Sequence, residues 1–149
     1  MQDAVVIGAG QSGPFLAARL AGAGQRVTLI EKRRLGGTCV NDGCIPTKTL
    51  VASARAAYVT RDAARFGVDV GGAISVDMKR VKARKDDVVQ ESRDSLQKWL
   101  GAIPTLTLTE GHARFVAKNA VEVNGERVEG KRFFINTVAH AIVPDVLRG

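Results

Sequence analysis

Residues 3–31 read DAVVIGAGQSGPFLAARLAGAGQRVTLIE, and this stretch determines the fold. Its first part, Asp3–Gly8, is short and mostly apolar, which is typical of a strand buried on both faces of a parallel sheet. The glycine-rich residues 8–13 then turn the chain. We therefore predict that Asp3–Gly8 forms the first strand of an α/β fold.

A helix and a second strand follow the turn. Pro14 suits the first turn of a helix, which Gly22 and Gly24 end. The pattern of Arg26–Glu31 predicts the second strand, whose last residue is an acid. Strand, glycine turn, helix and strand within about 30 residues make a βαβ unit.

Three glycines of the turn each have a mechanical role in such a unit. Gly8 permits the tight turn, Gly10 lets a pyrophosphate approach the backbone, and Gly13 lets the helix pack on the strand. The diphosphate lies against N–H groups at the start of the helix, where the helix dipole favours anions. Glu31 is placed to accept hydrogen bonds from a ribose. The arrangement predicts a dinucleotide site rather than a ligand-free turn, with FAD and NAD as alternatives.

Both cysteines lie in a second stretch, residues 36–48, which reads GGTCVNDGCIPTK. In a regular α-helix, Cα atoms five positions apart are about 8.7 Å from each other, and a disulfide needs roughly 4.4–6.8 Å. If Cys39 and Cys44 bond, the backbone between them must be irregular, and Gly43 allows this. The start of the following helix, together with Lys48, would lower the pKa of Cys44.

Other interpretations of the cysteine pair are weaker. Buried structural cysteines would have apolar neighbours, but glycines and polar residues surround this pair. A zinc site would need four ligands, and His112 and His140 lie far away in the sequence. A permanent disulfide is rare in cytoplasmic proteins. The pattern favours a redox-active pair.

Residues 36–48 resemble the active-site signature of the FAD-dependent pyridine nucleotide–disulfide oxidoreductases, which include glutathione reductase, dihydrolipoamide dehydrogenase and mercuric reductase. The glycine turn and Glu31 match the FAD site of the same family. The resemblance extends through the long second helix and through residues 110–115 and 134–137, so it covers nearly the whole chain. Among the family, the sequence is most similar to the mercuric-reductase-like members.

The resemblance implies a role for each site residue. Cys44 would lie against the flavin, and Cys39 would be the interchange thiol that attacks the substrate. NADH or NADPH would reduce the flavin, and the flavin would reduce the Cys39–Cys44 disulfide. The substrate would be a small-molecule disulfide, a dithiol or a metal ion. The residues expected to bind FAD are Gly8, Gly10, Ser12, Gly13, Pro14, Glu31, Lys32, Gly37, Thr38, Lys48, Ala113 and Thr137.

The sequence also departs from the family. Val138 replaces the glycine that follows Thr137 in the family, and valine tolerates a positive φ poorly. The resemblance implies that residues 1–149 are the N-terminal part of an FAD/NAD(P)-binding domain. The second FAD segment, the NAD(P) domain and the dimerisation domain of the homodimeric family members would be absent. We expect the isolated chain to bind FAD weakly or not at all and to be inactive alone.

The remaining helices are predicted from periodicity. Thr47–Arg65 is alanine-rich and helical, and Phe66–Ala73 is a loop. A long helix begins at Ser75 or Asp77 and ends near Leu100. The predicted apolar face of the first of these helices consists of Leu50, Val51, Ala54, Ala57 and Tyr58.

The pattern changes to β at Thr105. Strands are predicted at Thr105–Glu110, His112–Val116, Asn119–Val123 and Arg127–Asn136, and Asn124-Gly125 predicts a hairpin turn. We expect these strands to form a small antiparallel β-meander. The expected fold class is therefore α/β: a Rossmann-like FAD-binding domain with a parallel sheet, flanking helices and the meander, incomplete relative to the family.

Composition limits the other functions. The chain has 149 residues and a formal net charge of +7. Its cations are spread over several segments, so we interpret them as solvated faces and expect no nucleic-acid binding. No stretch approaches the roughly 18 apolar residues of a membrane span, and residues 1–8 do not resemble a signal peptide. We expect a cytoplasmic protein that contacts no membrane and holds no metal ion.

Three alternatives to the flavoenzyme fragment stay open. The chain could be a truncated, non-catalytic remnant of an FAD domain. It could be a flavin-free dithiol protein. On charge alone, it could bind nucleic acid.

Overall fold

The computed structural model describes residues 1–137 and 142–147. The expectations for Val138 and His140 lie outside these residues. Short 3₁₀ helices span Ala63–Phe66 and Asp145–Leu147. In chain order the other elements are β1 (Ala4–Ile7), α1 (Gly13–Gly22), β2 (Val27–Glu31), α2 (Gly37–Asn41), α3 (Cys44–Arg61), α4 (Met78–Gly101), β3 (Leu106–Glu110), β4 (Arg114–Ala117), β5 (Ala120–Val123), β6 (Glu126–Glu129) and β7 (Phe133–Ile135).

The chain divides into two compact units. The first unit comprises Met1–Lys32 and Ile103–Gly149, and it contains α1 and the strands β1 to β7. The second unit is Arg33–Ala102, and it contains α2, α3 and α4. None of the described helices combines the length and the apolar character needed to cross a membrane.

A parallel four-stranded sheet forms the centre of the first unit, in the order β3–β2–β1–β7. The central strands β1 and β2 are apolar along most of their length because both of their faces are covered. Val5, Val6 and Leu29 are fully buried there. Since all four strands run in the same direction, the carboxyl ends of β1, β2 and β7 lie at one edge of the sheet. The predicted βαβ unit is confirmed.

A second, antiparallel sheet has the order β4–β5–β6. Its predicted hairpin turn is confirmed: Asn124 and Gly125 both have positive φ, 53° and 82°, as a type I′ turn requires. The β5 residues Val121 and Val123 pack with Val5 and Ile30 in one buried cluster. This cluster joins the antiparallel sheet to the parallel one.

Two strands were expected in the meander and lie in the parallel sheet instead. β3 pairs with β2, from Val27↔Leu106 to Glu31↔Glu110, and β7 pairs with β1. The expectation for β3 was wrong because β3 is an edge strand with exposed positions, so its sequence alternates as an antiparallel strand does. The single strand expected at Arg127–Asn136 is divided into β6 and β7.

The helices of the second unit differ partly from the prediction. α4 begins as expected, since the Asp77 carboxylate accepts hydrogen bonds from the N–H groups of Lys79 (2.9 Å) and Arg80 (3.2 Å). α3 spans Cys44–Arg61 rather than Thr47–Arg65.

The predicted apolar face of α3 is also wrong. Leu50, Val51 and Tyr58 are 39%, 59% and 66% exposed. α3 packs against α4 through a polar face, where Arg84 Nη1 donates to Thr49 O (3.0 Å) and Ser53 Oγ (3.3 Å). Hydrophobic periodicity cannot predict this contact, because the contacting residues of α3 are polar.

Replacement of Leu29 by alanine tests the buried sheet. Leu29 is fully buried and Leu147 is 71% exposed, so the same substitution at the two positions forms a matched pair. We expect Leu29→Ala to lower the free energy of unfolding by about 2–5 kcal/mol, and Leu147→Ala to change it by less than about 0.5 kcal/mol. Urea unfolding followed by circular dichroism measures both. Equal effects would contradict the assignment of Leu29 to the core.

The Asp3 carboxylate makes the stability of the folded protein depend on pH. Lys131 Nζ (2.7 Å) and the Arg26 N–H (3.0 Å) donate to its carboxylate, and these bonds lower the pKa of Asp3 from 3.8 to about 2. Because the folded pKa lies below the unfolded one, the stabilisation is present above about pH 4. It is lost as the pH falls through about 2.

Asp3→Asn is therefore expected to lower the melting temperature at pH 7, with a difference from wild type that shrinks below about pH 4. Thermal unfolding over this pH range measures the difference. A difference that is constant with pH would rule out the carboxylate as its source.

Candidate functional site

The turn between β1 and α1 depends on Gly8. Its N–H donates to Ile30 O (2.8 Å), and its φ is 103°, a conformation that favours glycine. A Cβ atom at Gly8 would also lie closer than 3.0 Å to the carbonyl oxygen of Asn136. The fold of the turn therefore requires a glycine at this position.

Gly13 is required for a different reason. It begins α1, and a Cβ atom on it would lie closer than 3.0 Å to the carbonyl oxygen of Gly8. Pro14 follows in the first helical turn, and both residues are buried. The start of α1 thus packs directly against the turn that precedes it.

Gly10 differs from these two glycines. Among the described residues, only Asn136 Nδ2 lies within 4 Å of a Cβ atom built there, at 3.9 Å. The packing of the protein therefore leaves open space at this position. Packing within the protein thus does not require a glycine here.

The N-terminus of α1 offers positive potential beside Gly10. No side-chain hydrogen bond from the N-cap residue Ser12 covers it, and its first turn carries no acid. Ser12 Oγ instead donates to Asn136 Oδ1 (3.2 Å). The helix dipole at this end favours an anionic group.

Glu31, at the end of β2, is tied to the same turn. Its Oε2 accepts a hydrogen bond from the Ala9 N–H (2.8 Å), so the carboxylate is held beside the glycines. Lys32 follows and is exposed. The structure therefore brings Glu31 and the turn of residues 8–14 together.

Asn136 was missed by the sequence reasoning. Its N–H donates to Ile7 O (2.7 Å), and its side chain and carbonyl group line the glycine turn. Placing the strand that ends before it next to β1 would have indicated this position. Thr137 N lies 3.3 Å from a Cβ atom built on Gly8, so Thr137 also lies at the turn. Ala113 packs against the buried cluster of the antiparallel sheet.

The cysteines lie in the second unit, in a segment with an irregular backbone. Cys39 is in the middle of α2, which ends at Asn41, and Cys44 is the first residue of α3. Gly43 connects the two helices, and a Cβ atom on it would be 3.0 Å from Thr38 O. The expected break in the helix between the cysteines is thus observed.

The two cysteines are not bonded to each other in this structure, and their side chains differ in exposure. Cys39 is half-buried and Cys44 is exposed. A hydrogen bond with the Cys44 side chain raises the pKa of the Cys39 thiol, and burial and the charge of Cys44 act in the same direction. The backbone hydrogen bond from Cys44 and the positive charge of Lys48 oppose this rise in the pKa. The pKa of Cys39 therefore depends on its neighbours Cys44 and Lys48.

The other predicted residues of this segment lie around the thiols. Lys48 is exposed on α3, four residues after Cys44, and Gly37 and Thr38 form the start of α2. Within residues 1–137 and 142–147, no group of three or more His, Cys, Asp or Glu side chains could hold a metal ion.

The fold defines a Rossmann-type α/β domain whose sequence also carries two free cysteines on either side of a helix break. Its family follows from comparison with known proteins. The profile of the family described as pyridine nucleotide-disulphide oxidoreductase matches residues 2–148. The chain belongs to this family, as the resemblance of the cysteine and glycine motifs predicted.

Individual relatives agree with this assignment. The chain is 41% identical to dihydrolipoyl dehydrogenase of Chlamydia muridarum over 126 residues, which are 83% of this chain and 26% of that protein. It is 34% identical to mercuric reductase of Lysinibacillus sphaericus over 146 residues, 97% of this chain and 26% of that one.

A solved structure confirms the fold class. The HOCl-induced flavoprotein disulfide reductase RclA from Escherichia coli is 37% identical and superposes with a TM-score of 0.77, over 95% of this chain and 29% of RclA. This chain therefore spans between a quarter and a third of the length of these three proteins.

The coupling between the thiols can be measured. We expect Cys44→Ala to lower the pKa of Cys39, because the substitution removes the side-chain hydrogen bond and the charge that raise it. The rate of Cys39 alkylation by iodoacetamide, followed by mass spectrometry from about pH 6 to 10, should then reach its midpoint at lower pH.

Lys48→Met is a control that should change the pKa of Cys39 in the opposite direction. The positive charge of Lys48 lowers the pKa of Cys39, so its removal should move the midpoint to higher pH. If neither variant moves the midpoint, the two thiols are not in contact.

Proposed function

We propose that this chain supplies the FAD-binding turn and the redox-active cysteine pair of a flavin-dependent disulfide oxidoreductase. The observation that carries the proposal is the break at Gly43, where a Cβ atom built on the residue before Cys44 would lie 3.4 Å from the Cα atom of Cys39. Two cysteines brought together at a break between two helices can form a disulfide without a large change of the backbone. Membership of a family of disulfide oxidoreductases supports this use of the pair.

The glycine turn fits the diphosphate of FAD. The open space at Gly10 and the uncapped start of α1 suit a phosphate group. Glu31, which bonds to the same turn, would accept a hydrogen bond from a ribose hydroxyl. We propose the same role for the rest of the predicted set. These residues are Gly8, Ser12, Gly13, Pro14, Lys32, Gly37, Thr38, Lys48, Ala113 and Thr137. When bound, FAD would supply a two-electron carrier between NADH or NADPH and the cysteines.

The cysteines carry the chemistry of this chain. When the disulfide accepts two electrons and two protons, the S–S bond breaks and both thiols form. The Cys39 sulfur then attacks one sulfur atom of a small disulfide and releases the first thiol product. Cys44 attacks Cys39 in the mixed disulfide, which releases the second product and restores the Cys39–Cys44 bond. The positive charge of Lys48 partly offsets the rise in the pKa of Cys39 that its other neighbours cause.

The substrate class follows from thiol chemistry. A small disulfide, a dithiol or a thiophilic metal ion such as mercuric ion would react with the pair, and mercuric reductase is among the relatives. A reducing compartment such as the cytoplasm suits thiols that cycle. We propose that residues 1–149 correspond to the first FAD-binding part of the homodimeric family members. The parts that bind the nicotinamide nucleotide, complete the FAD site and form the dimer would lie outside the matched residues.

A redox titration tests the cysteine pair. We expect the chain, equilibrated in mixtures of glutathione and glutathione disulfide, to form an intramolecular Cys39–Cys44 disulfide that mass spectrometry detects as the loss of two hydrogen atoms. Cys39→Ser and Cys44→Ser should instead form only mixed disulfides with glutathione. A wild-type chain that also forms only mixed disulfides would overturn the proposal.

Gly10→Ala tests the FAD site. We expect it to weaken FAD binding by about tenfold or more, because a methyl group would occupy the space for the diphosphate, while the melting temperature is unchanged. Gly22→Ala is the matched control, since nothing lies within 4 Å of a Cβ atom there, and it should bind FAD as the wild type does. Quenching of FAD fluorescence at high protein concentration measures both. Equal FAD affinity in Gly10→Ala and the wild type would contradict the assignment of the diphosphate to this turn.

A further inference from the structure

The helix that carries Cys39 is too short to be stable on its own. α2 has five residues, and no side chain caps its N-terminus. A single helical turn fixes several backbone dihedral angles in exchange for very few hydrogen bonds, so its formation is unfavourable without other contacts. Other interactions must therefore hold α2, and with it Cys39, in place.

Asn41 provides such an interaction. Its Nδ2 donates hydrogen bonds to the carbonyl oxygens of Leu35 and Gly37, both at 2.8 Å. Leu35 precedes α2, Gly37 is its first residue and Asn41 is its last. One amide group thus connects the two ends of the short helix around Cys39.

The orientation of this amide is determined by its partners. Both partners are carbonyl oxygens, which can only accept, so the nitrogen must face them. Asn41 Oδ1 is then buried with no hydrogen-bond partner among the described residues. A buried acceptor without a partner is destabilising, and this cost offsets part of the stabilisation from the two donated bonds.

We propose that Asn41 is a positioning residue for the thiol pair: it holds α2 so that the Cys39 sulfur stays within reach of Cys44, which begins α3. The proposal rests on the proposed function of the pair. Cys44 follows Asn41 by three residues, so Asn41 also determines where the connection to α3 starts. Disulfide formation within the pair depends on this alignment, because it requires a narrow range of distances between the two residues.

A second interaction spans α2 and serves as the comparison. Arg34 Nη2 contacts both carboxylate oxygens of Asp42, at 3.0 and 3.3 Å. The two side chains are 44% and 54% exposed, and exposed ion pairs contribute little because solvent screens them. We therefore infer that Asn41, rather than this ion pair, holds α2 and Cys39 in position.

The test measures the equilibrium between the thiol pair and glutathione disulfide. In this reaction the Cys39 and Cys44 thiols are oxidised to one disulfide, and glutathione disulfide is reduced to two glutathione thiols. Asn41→Leu keeps the approximate shape, adds no charge and removes both donors. We expect it to lower the equilibrium constant by about tenfold. Asn41→Ser can return one bond through its hydroxyl group to Gly37 O, so its loss should be smaller.

Arg34→Ala is the matched control and should stay within about twofold of wild type. All variants are compared at a temperature where circular dichroism shows each to be folded, and Asn41→Ser carries the test if Asn41→Leu does not fold. An unchanged constant with a lowered melting temperature would assign Asn41 a purely structural role and overturn the proposal. An equal loss in Arg34→Ala would overturn it as well. If the wild type itself forms no disulfide, the proposed function fails first.

Discussion

The close packing of Gly13 against the carbonyl oxygen of Gly8 is the constraint on which the first unit depends. No side chain fits between these two residues, so α1 begins directly against the turn after β1. At the same turn, the Asn136 N–H donates to Ile7 O, and the Ala9 N–H donates to the Glu31 carboxylate. The ends of three strands are thereby held around one short turn.

In the second unit, the main constraint is the distance between Cys39 and Cys44. In a continuous helix, Cys39 and Cys44 would be about 8.7 Å apart at their Cα atoms. The interruption at Gly43 divides the segment into α2 and α3 and places the residue before Cys44 against Cys39. The interruption leaves α2 short, and this shortness makes the hydrogen bonds of Asn41 necessary. The same interruption at Gly43 therefore brings the two cysteines together and makes α2 dependent on Asn41.

Features that depend on near neighbours in sequence were predictable. The glycine turn, the Asn124-Gly125 hairpin and the irregular backbone between the cysteines are of this kind. The position of β7 beside β1 joins residues more than a hundred positions apart, and so the role of Asn136 was not predicted. The contact of α3 with α4 uses Thr49 and Ser53 as acceptors for Arg84. An apolar pattern carries no information about such a contact. Binding of FAD by the individual residues stays a prediction.

The order of the parallel sheet has a consequence for folding during synthesis. β1 and β2 are made first, but their outer partners β3 and β7 follow only after the whole second unit. At a translation rate of about 5–20 residues per second, roughly 4–15 s pass between the synthesis of β2 and that of β3. During this time two apolar strands with unpaired edges are exposed to other nascent chains and to chaperones. The second unit is continuous and helical, so its local contacts can form earlier.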